Sequence, residues 1–316
     1  MLRFAGSALL LAMTVGACKT PVAGQAPALV APVPIFGPVI GSEVIAGRSD
    51  DGVVTLLAGG LDLVRVDVER RRVERVRLAL APGESCWGLA RLSDGTLWTL
   101  KGRQVAARLS VTGRLAEQIP LPTPQFGIFA AGNQLLFQEA VFTAPSPALT
   151  SGSSGAPARV PWSSLMTRRF DGLARASAAA LNLLSCGATR DRERACWFPD
   201  EPAVNLVDDD GHARRVTLAG LRVVSPEVLL TSDNPPRPVR DAFVTEHGEI
   251  WVLSSGVPPP GHADTPGGWT LARFGRRGEV LGQSRLAEAA RLILAADSRR
   301  VELLLASGKV GEVPAW

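Results

Sequence analysis

Tyrosine is missing from this chain, and lysine nearly so: of 34 basic residues, only Lys19, Lys101 and Lys309 are lysines. An arginine bias of that kind reflects a GC-rich genome before it reflects a function. The three histidines, His212, His247 and His262, all fall in turns or loops. His212 and His247 belong to different hairpin ends, which argues against a shared zinc site. The chain contains no G-x-S-x-G, no phosphate-binding loop and no G-x-G-x-x-G ahead of a helix, so nucleophile-elbow and nucleotide-loop chemistry lack their usual carriers. Asp208-Asp209-Asp210-Gly211 lacks the alternating spacing and distal glutamate of a calcium loop and reads as a tight turn. Basic and acidic residues interleave, as in Arg190-Asp191-Arg192-Glu193-Arg194, and the net charge is only +4. No face is obviously basic, which excludes nucleic acid as the expected partner.

What is present begins at the N-terminus. Met1-Leu2-Arg3 is a short positive region and Phe4 to Val15 an apolar one, too short for a bilayer-spanning helix of about 20 residues. Val15-Gly16-Ala17-Cys18 follows. The run resembles the lipobox of bacterial lipoproteins, the alternative being an ordinary secretory signal. The resemblance implies cleavage before Cys18, diacylglycerol on its thiol and an acyl chain such as palmitate on its new amino group. Two or more chains anchor stably where one does not. Lys19 at the next position favours the outer membrane by analogy with enteric sorting. Residues 1–17 are then the signal peptide, and the Pro- and Ala-rich residues 18–36 a tether. Residues 37–316 form the folded domain.

The most regular stretch of that domain is Cys86–Leu121, two hairpins in a row turning at Asp94-Gly95 and Thr112-Gly113. Weaker copies recur. Inner hairpins are expected at 43–59, 88–101, 127–140, 182–198, 241–255 and 291–307. Outer hairpins are expected at 63–80, 106–121, 166–181, 204–218 and 271–286. Repeated four-stranded antiparallel units predict an all-β fold, a six-bladed β-propeller. A seven-bladed ring with a degenerate blade in 143–181 or 222–240 is the alternative. After Leu305 the chain has length for one more strand only, so Val33–Ile40 is expected to add the missing edge strand and close the ring; otherwise residues 25–40 stay loose. Closure removes an open sheet edge.

Three segments interrupt the repeat: 143–161, 225–240 and 254–268, rich in Ser, Gly or Pro and expected to lack strands. In a propeller these connections emerge at one end of the ring, over the third to fifth blades, where a ligand is to be sought. Charged residues expected there are Glu84, Glu139, Asp200, Arg240, Asp241 and His262, with Glu201 and Asp264 nearby. No catalytic set is identified among them. Cys186 and Cys196 flank one turn on paired strands and are expected to form a disulfide. Cys86 is left as a buried thiol, a Cys86–Cys186 pairing being the less favoured option.

Gly88-Leu89-Ala90, Asp94-Gly95 and Leu97-Trp98, with a partial copy at 242–252, resemble the blade pattern of NHL and senescence-marker/gluconolactonase-like propellers. That resemblance implies the fold and leaves activity open. The lactonase branch uses calcium held by Glu, Asn and Asp from separate blades, a set with no assignable counterpart here. The expected function is a membrane-anchored binding or scaffold lipoprotein of the cell envelope. It would be non-enzymatic, without a cofactor, and take a protein, peptide or glycan ligand. A calcium-dependent lactonase-like hydrolase or lyase is the alternative.

Overall fold

The computed structural model describes residues 27–36, 44–50, 53–67, 69–92, 94–131, 134–139, 148–151, 159–161, 181, 184–187, 193–208, 213–263 and 267–315. The expected signal peptide, Cys18 and the first part of the tether lie outside these residues.

The described strands form six sheets in chain order, antiparallel except for one parallel edge strand. The first holds β3 (Val44–Asp50), β4 (Val53–Ala58), β5 (Asp62–Asp67) and β6 (Arg72–Arg77). The second holds β7 (Cys86–Arg91), β8 (Leu97–Lys101), β9 (Val105–Leu109) and β10 (Leu115–Pro120). The third holds β11 (Gln125–Ala131), β12 (Gln134–Glu139), β13 (Ala148–Ser151) and β14 (Arg159–Pro161). The fourth holds β15 (Ser185–Cys186), β16 (Arg194–Trp197), β17 (Ala203–Val207) and β18 (Ala213–Thr217). The fifth holds β19 (Arg237–Val244), β20 (Ile250–Val257), β21 (Gly268–Phe274) and β22 (Val280–Leu286). The sixth holds β23 (Ala290–Ala296), β24 (Arg300–Leu305) and β25 (Val310–Pro314) and is completed from the other end of the chain by β2 (Val33–Phe36).

Why these residues make hairpins is visible at the turns. Gly95, Gly113, Gly248, Gly278 and Gly308 each have φ between 76° and 85°. Each donates its N–H to the carbonyl three residues earlier, as Gly95 does to Leu92 and Gly248 to Thr245. A left-handed residue after a tight turn restores the strand register, and only glycine takes it without strain.

The core lies between sheets, in six clusters among the described residues. Leu57 and Leu63 of the first sheet pack on Leu89 and Leu109 of the second. Trp98 and Leu100 meet Ile128 and Phe137 of the third. Phe129 meets Cys196 and Val207 of the fourth. Val204 and Leu206 meet Val252 and Phe274 of the fifth. Trp251 and Leu253 meet Leu303 and Val313 of the sixth. Leu294 and Leu304 return to Val54 and Leu56 of the first. Sheets covered on both faces by neighbours explain the near-continuous apolar runs, since neither face is left to water. The fold is an all-β propeller.

Two differences from the sequence-based expectation concern edges. β2, within the Val33–Ile40 segment expected to close the ring, runs antiparallel to β25 as that edge strand, whereas β1 (Leu29–Val30), assigned by composition to the tether, runs parallel to β22 as a fifth strand. Proline at 32 and 34 is tolerated because an edge strand need not donate on both sides. The Ser/Gly-rich stretch 143–161 was expected to hold no strand, yet β13 and β14 fall within it, with Leu136 opposite Leu149 and Leu149 opposite Val160. An unpaired β12 edge recruits the nearest segment able to extend, because longer loops cost more entropy to close. The outer hairpin expected at 166–181 lies outside the described residues, Leu181 excepted. The alternative of a further blade in 222–240 fails: that segment forms a short helix, α1 (Pro226–Thr231), and the start of β19. Among the described residues no helix is long and apolar enough to cross a membrane.

Candidate functional site

Two connections, 219–236 before β19 and the one after β20, of which 258–263 and 267 are described, leave the fifth sheet at one end, since Arg237 opens β19 directly opposite Ser255 near the close of β20. They touch: Gly261 donates its N–H to the Gly220 carbonyl at 3.4 Å. Gln283 holds the second loop by donating its amide to the Pro260 carbonyl at 2.9 Å. Within the first loop, α1 starts where Ser225 caps and Pro226 takes the first helical position, both suited to a helix N-terminus. Val223, Val228 and Leu230 on this segment are exposed.

At the seam between the fifth and sixth sheets sits a group of cations. Arg240 lies with its guanidinium 5.0 Å from the centre of the Trp269 ring, a stacking that favours arginine over water alone. Its Nε is buried without an acceptor among the described residues. Arg237 and Arg240 are both half-buried. Burial lowers the proton affinity of each below the usual guanidinium range; for Arg240, the neighbouring charges of Arg237 and Arg291 lower it further, while Asp241 raises it. Both remain fully charged near neutrality. Arg291, from β23, donates to the Ala306 carbonyl at 3.2 Å. Asp241 is buried, and its Oδ2 accepts the Ile293 N–H at 2.5 Å, tying the fifth sheet to the sixth. Ser255, opposite both Arg237 and Trp269, is 6% exposed, and its hydroxyl has no partner among the described residues.

The remaining charged residues singled out in the sequence are spread around this end. Glu84 sits before β7 and is engaged: its carboxylate binds Lys101 Nζ at 2.8 Å and accepts the Ala81 N–H. The hydrogen bond from Lys101, then that from Ala81, hold its carboxyl below the usual range. Asp200 is buried between β16 and β17, and Glu201 beside it pairs with Arg215 at 2.7 Å. His262 is half-buried in the 258–267 loop. The side chain of Glu139 and all of Asp264 and His212 lie outside the described residues. The structure therefore brings Arg240 and Asp241 together, while Glu84 and Asp200 stand on other sheets. Among the described residues no three His, Cys, Asp or Glu side chains cluster as a metal would need.

Arg237, Arg291, Trp269 and Ser255 went unnoticed in the sequence. Arginine is too common in this chain for one to stand out, and Ser255 carries no local motif. Its significance comes from the ladder that sets it between Arg237 and Trp269. Cys186 and Cys196 are opposite one another on β15 and β16 and form the expected disulfide. Cys86 is free and buried, and burial pushes its thiol up to about 11. At neutral pH it is a packed hydrophobe, with almost no thiolate to react.

No family model matches the chain, and no curated protein matches it. Solved structures are similar in fold. A member of the DUF4221 family from Bacteroides vulgatus superposes with a TM-score of 0.57 at 10% identity, covering 91% of this chain and 95% of that one. The β-propeller domain of Cps50 (Swd1) from Myceliophteria thermophila gives 0.50 at 10% identity, over 89% and 99%. Virginiamycin B lyase from Staphylococcus aureus gives 0.45 at 12% identity, over 86% and 84%. Identities this low speak to the fold alone.

Proposed function

We propose that this protein is a lipid-anchored, non-enzymatic binding or scaffold propeller of the bacterial cell envelope, with each of the six sheets a blade. It engages a protein, peptide or glycan through the end where the long loops meet. The observation that carries the reading is the contact between the 219–236 connection and residues 258–263, with exposed Val223, Val228 and Leu230, at the end of the fifth sheet where half-buried Arg237 begins β19. Exposed apolar side chains together with cationic and aromatic residues are the ordinary ingredients of a recognition surface. The anchor is the acylated Cys18, and Lys19 favours the outer membrane. Because β1 begins at Leu29, the segment between the anchor and the first paired strand is shorter than composition suggests. Residues 19–28 could span at most about 35 Å, so the propeller stays near its membrane.

Two measurements test this. Metal analysis of the purified protein should find no stoichiometric calcium, and lactone substrates should not turn over. Bound calcium with turnover would replace the binding reading by the lactonase-like one. Cys18→Ser should abolish fatty-acid labelling and signal cleavage in a bacterial host, and labelling that persists would refute the anchor.

A further inference from the structure

Half-buried guanidinium groups usually face a carboxylate, because their desolvation is otherwise uncompensated. Among the described residues Arg237 and Arg240 have no ion-pair or hydrogen-bond partner, the Nε of Arg240 is buried with none, and Asp241 acts on Arg240 through its charge without a direct contact being made. The neighbouring carboxylate, Asp241, is turned to the Ile293 N–H. Beside the two arginines a second group is unsatisfied, the hydroxyl of Ser255, nine-tenths buried and placed by the ladder between Arg237 and Trp269. Two cations, a hydroxyl and a partly buried indole thus share one seam, with too little acceptor capacity for their donors.

We propose that this seam between the fifth and sixth sheets is a subsite for a monoanionic carboxylate carried on an apolar group. The proposal rests on reading the loop-rich end as a binding surface and names the ligand chemistry it takes. A carboxylate offers the two coplanar oxygens that a guanidinium fork pairs with, and a lone pair for the Ser255 hydroxyl. The apolar part lies along the exposed portion of Trp269. Asp241 decides between a carboxylate and a phosphate. A buried negative charge next to Arg240 repels a second anion in proportion to its charge, so a dianion is disfavoured relative to a monoanion.

The test uses the mature protein and three probes: N-acetyl-phenylalanine, its amide and inorganic phosphate, followed by tryptophan fluorescence and by NMR. The acid should bind saturably, the amide should not, and phosphate should bind more weakly. Arg240→Gln and Arg237→Gln, each checked for native circular dichroism, should weaken the acid at least about tenfold. Arg214→Gln should leave it unchanged, since Arg214 donates to the Arg276 carbonyl at the opposite end of the ring. Equal binding of acid and amide, tighter binding of phosphate, undiminished binding in both arginine variants, or equal loss in the Arg214 control would overturn the subsite. Failure here is distinguishable from failure of the broader reading. Absent acid binding removes the subsite and leaves the loop surface to other ligands. Calcium-dependent turnover alongside acid binding through Arg240 removes the binding-only function and leaves the subsite.

Discussion

Reducing the Cys186–Cys196 bridge should destabilise the propeller by about 2.7 kcal/mol, the loop-closure entropy that a ten-residue separation removes from the unfolded chain. The bridge joins facing residues on the short ladder between β15 and β16, and Cys196 is fully buried against Phe129, Phe198 and Val207. Replacing both cysteines with alanine therefore mixes two effects, the lost crosslink and a small cavity. Reduction of the intact protein isolates the first, because both sulfurs stay in place. In a domain of this size each kcal/mol moves the unfolding midpoint by roughly 2 °C, so reduction should lower Tm by about 5 °C. The double alanine variant should fall somewhat further, by the cavity. The assay is thermal unfolding by circular dichroism with and without reductant, with peptide mapping to show that Cys186 and Cys196 were paired and then released. A reduced protein melting within about 1 °C of the oxidised one would refute the reasoning, since the unfolded-state constraint would then contribute almost nothing.

Gly278→Ala should cost about 3 kcal/mol, because the residue has φ +85° and an added Cβ would collide with the Thr217 carbonyl; a variant with unchanged denaturant midpoint would contradict this. Asp241→Ala should cost about 2 kcal/mol by stranding the buried Ile293 N–H, and Asp241→Asn clearly less, since an amide oxygen can still accept it; equal losses in the two would tell against the bond. The Asp94 carboxylate accepts the Thr96 hydroxyl at 2.7 Å and the Thr96 N–H at 2.9 Å, the hydroxyl being the largest of the effects that hold its pKa low. Its folded value lies below its unfolded one, so its stabilisation is complete above about pH 3.9 and is lost as the pH falls through the folded value. Carboxyl NMR should give a midpoint below that of a model peptide, and Thr96→Val should raise it.

Turn chemistry made the hairpins legible. Asp94-Gly95 and His247-Gly248 place glycine where the chain must turn left-handed, and Trp98 and Trp251 follow on strands buried from both sides. Outer strands were harder to read. β13 and β14 pair because β12 presents an edge, a tertiary demand that composition at 143–161 concealed. In the same way Leu29–Val30 is a strand only because β22 lies beside it. For the cation group the sequence offered Arg240 and Asp241 as neighbours. It could not show that Arg291 comes from the next sheet, or that Trp269 and Ser255 are cross-strand partners.

The stitching of residues 29–36 also sets a load path. A pull on the chain at residue 27 meets β1 first, a two-residue parallel ladder held where Arg285 donates to Ala28 and Ala287 to Val30. Only behind it lies β2, whose antiparallel register with β25 completes the sixth sheet. The short outer ladder works as a mechanical fuse. Tension on the N-terminal side peels β1 from the rim while the strand that closes the ring stays seated.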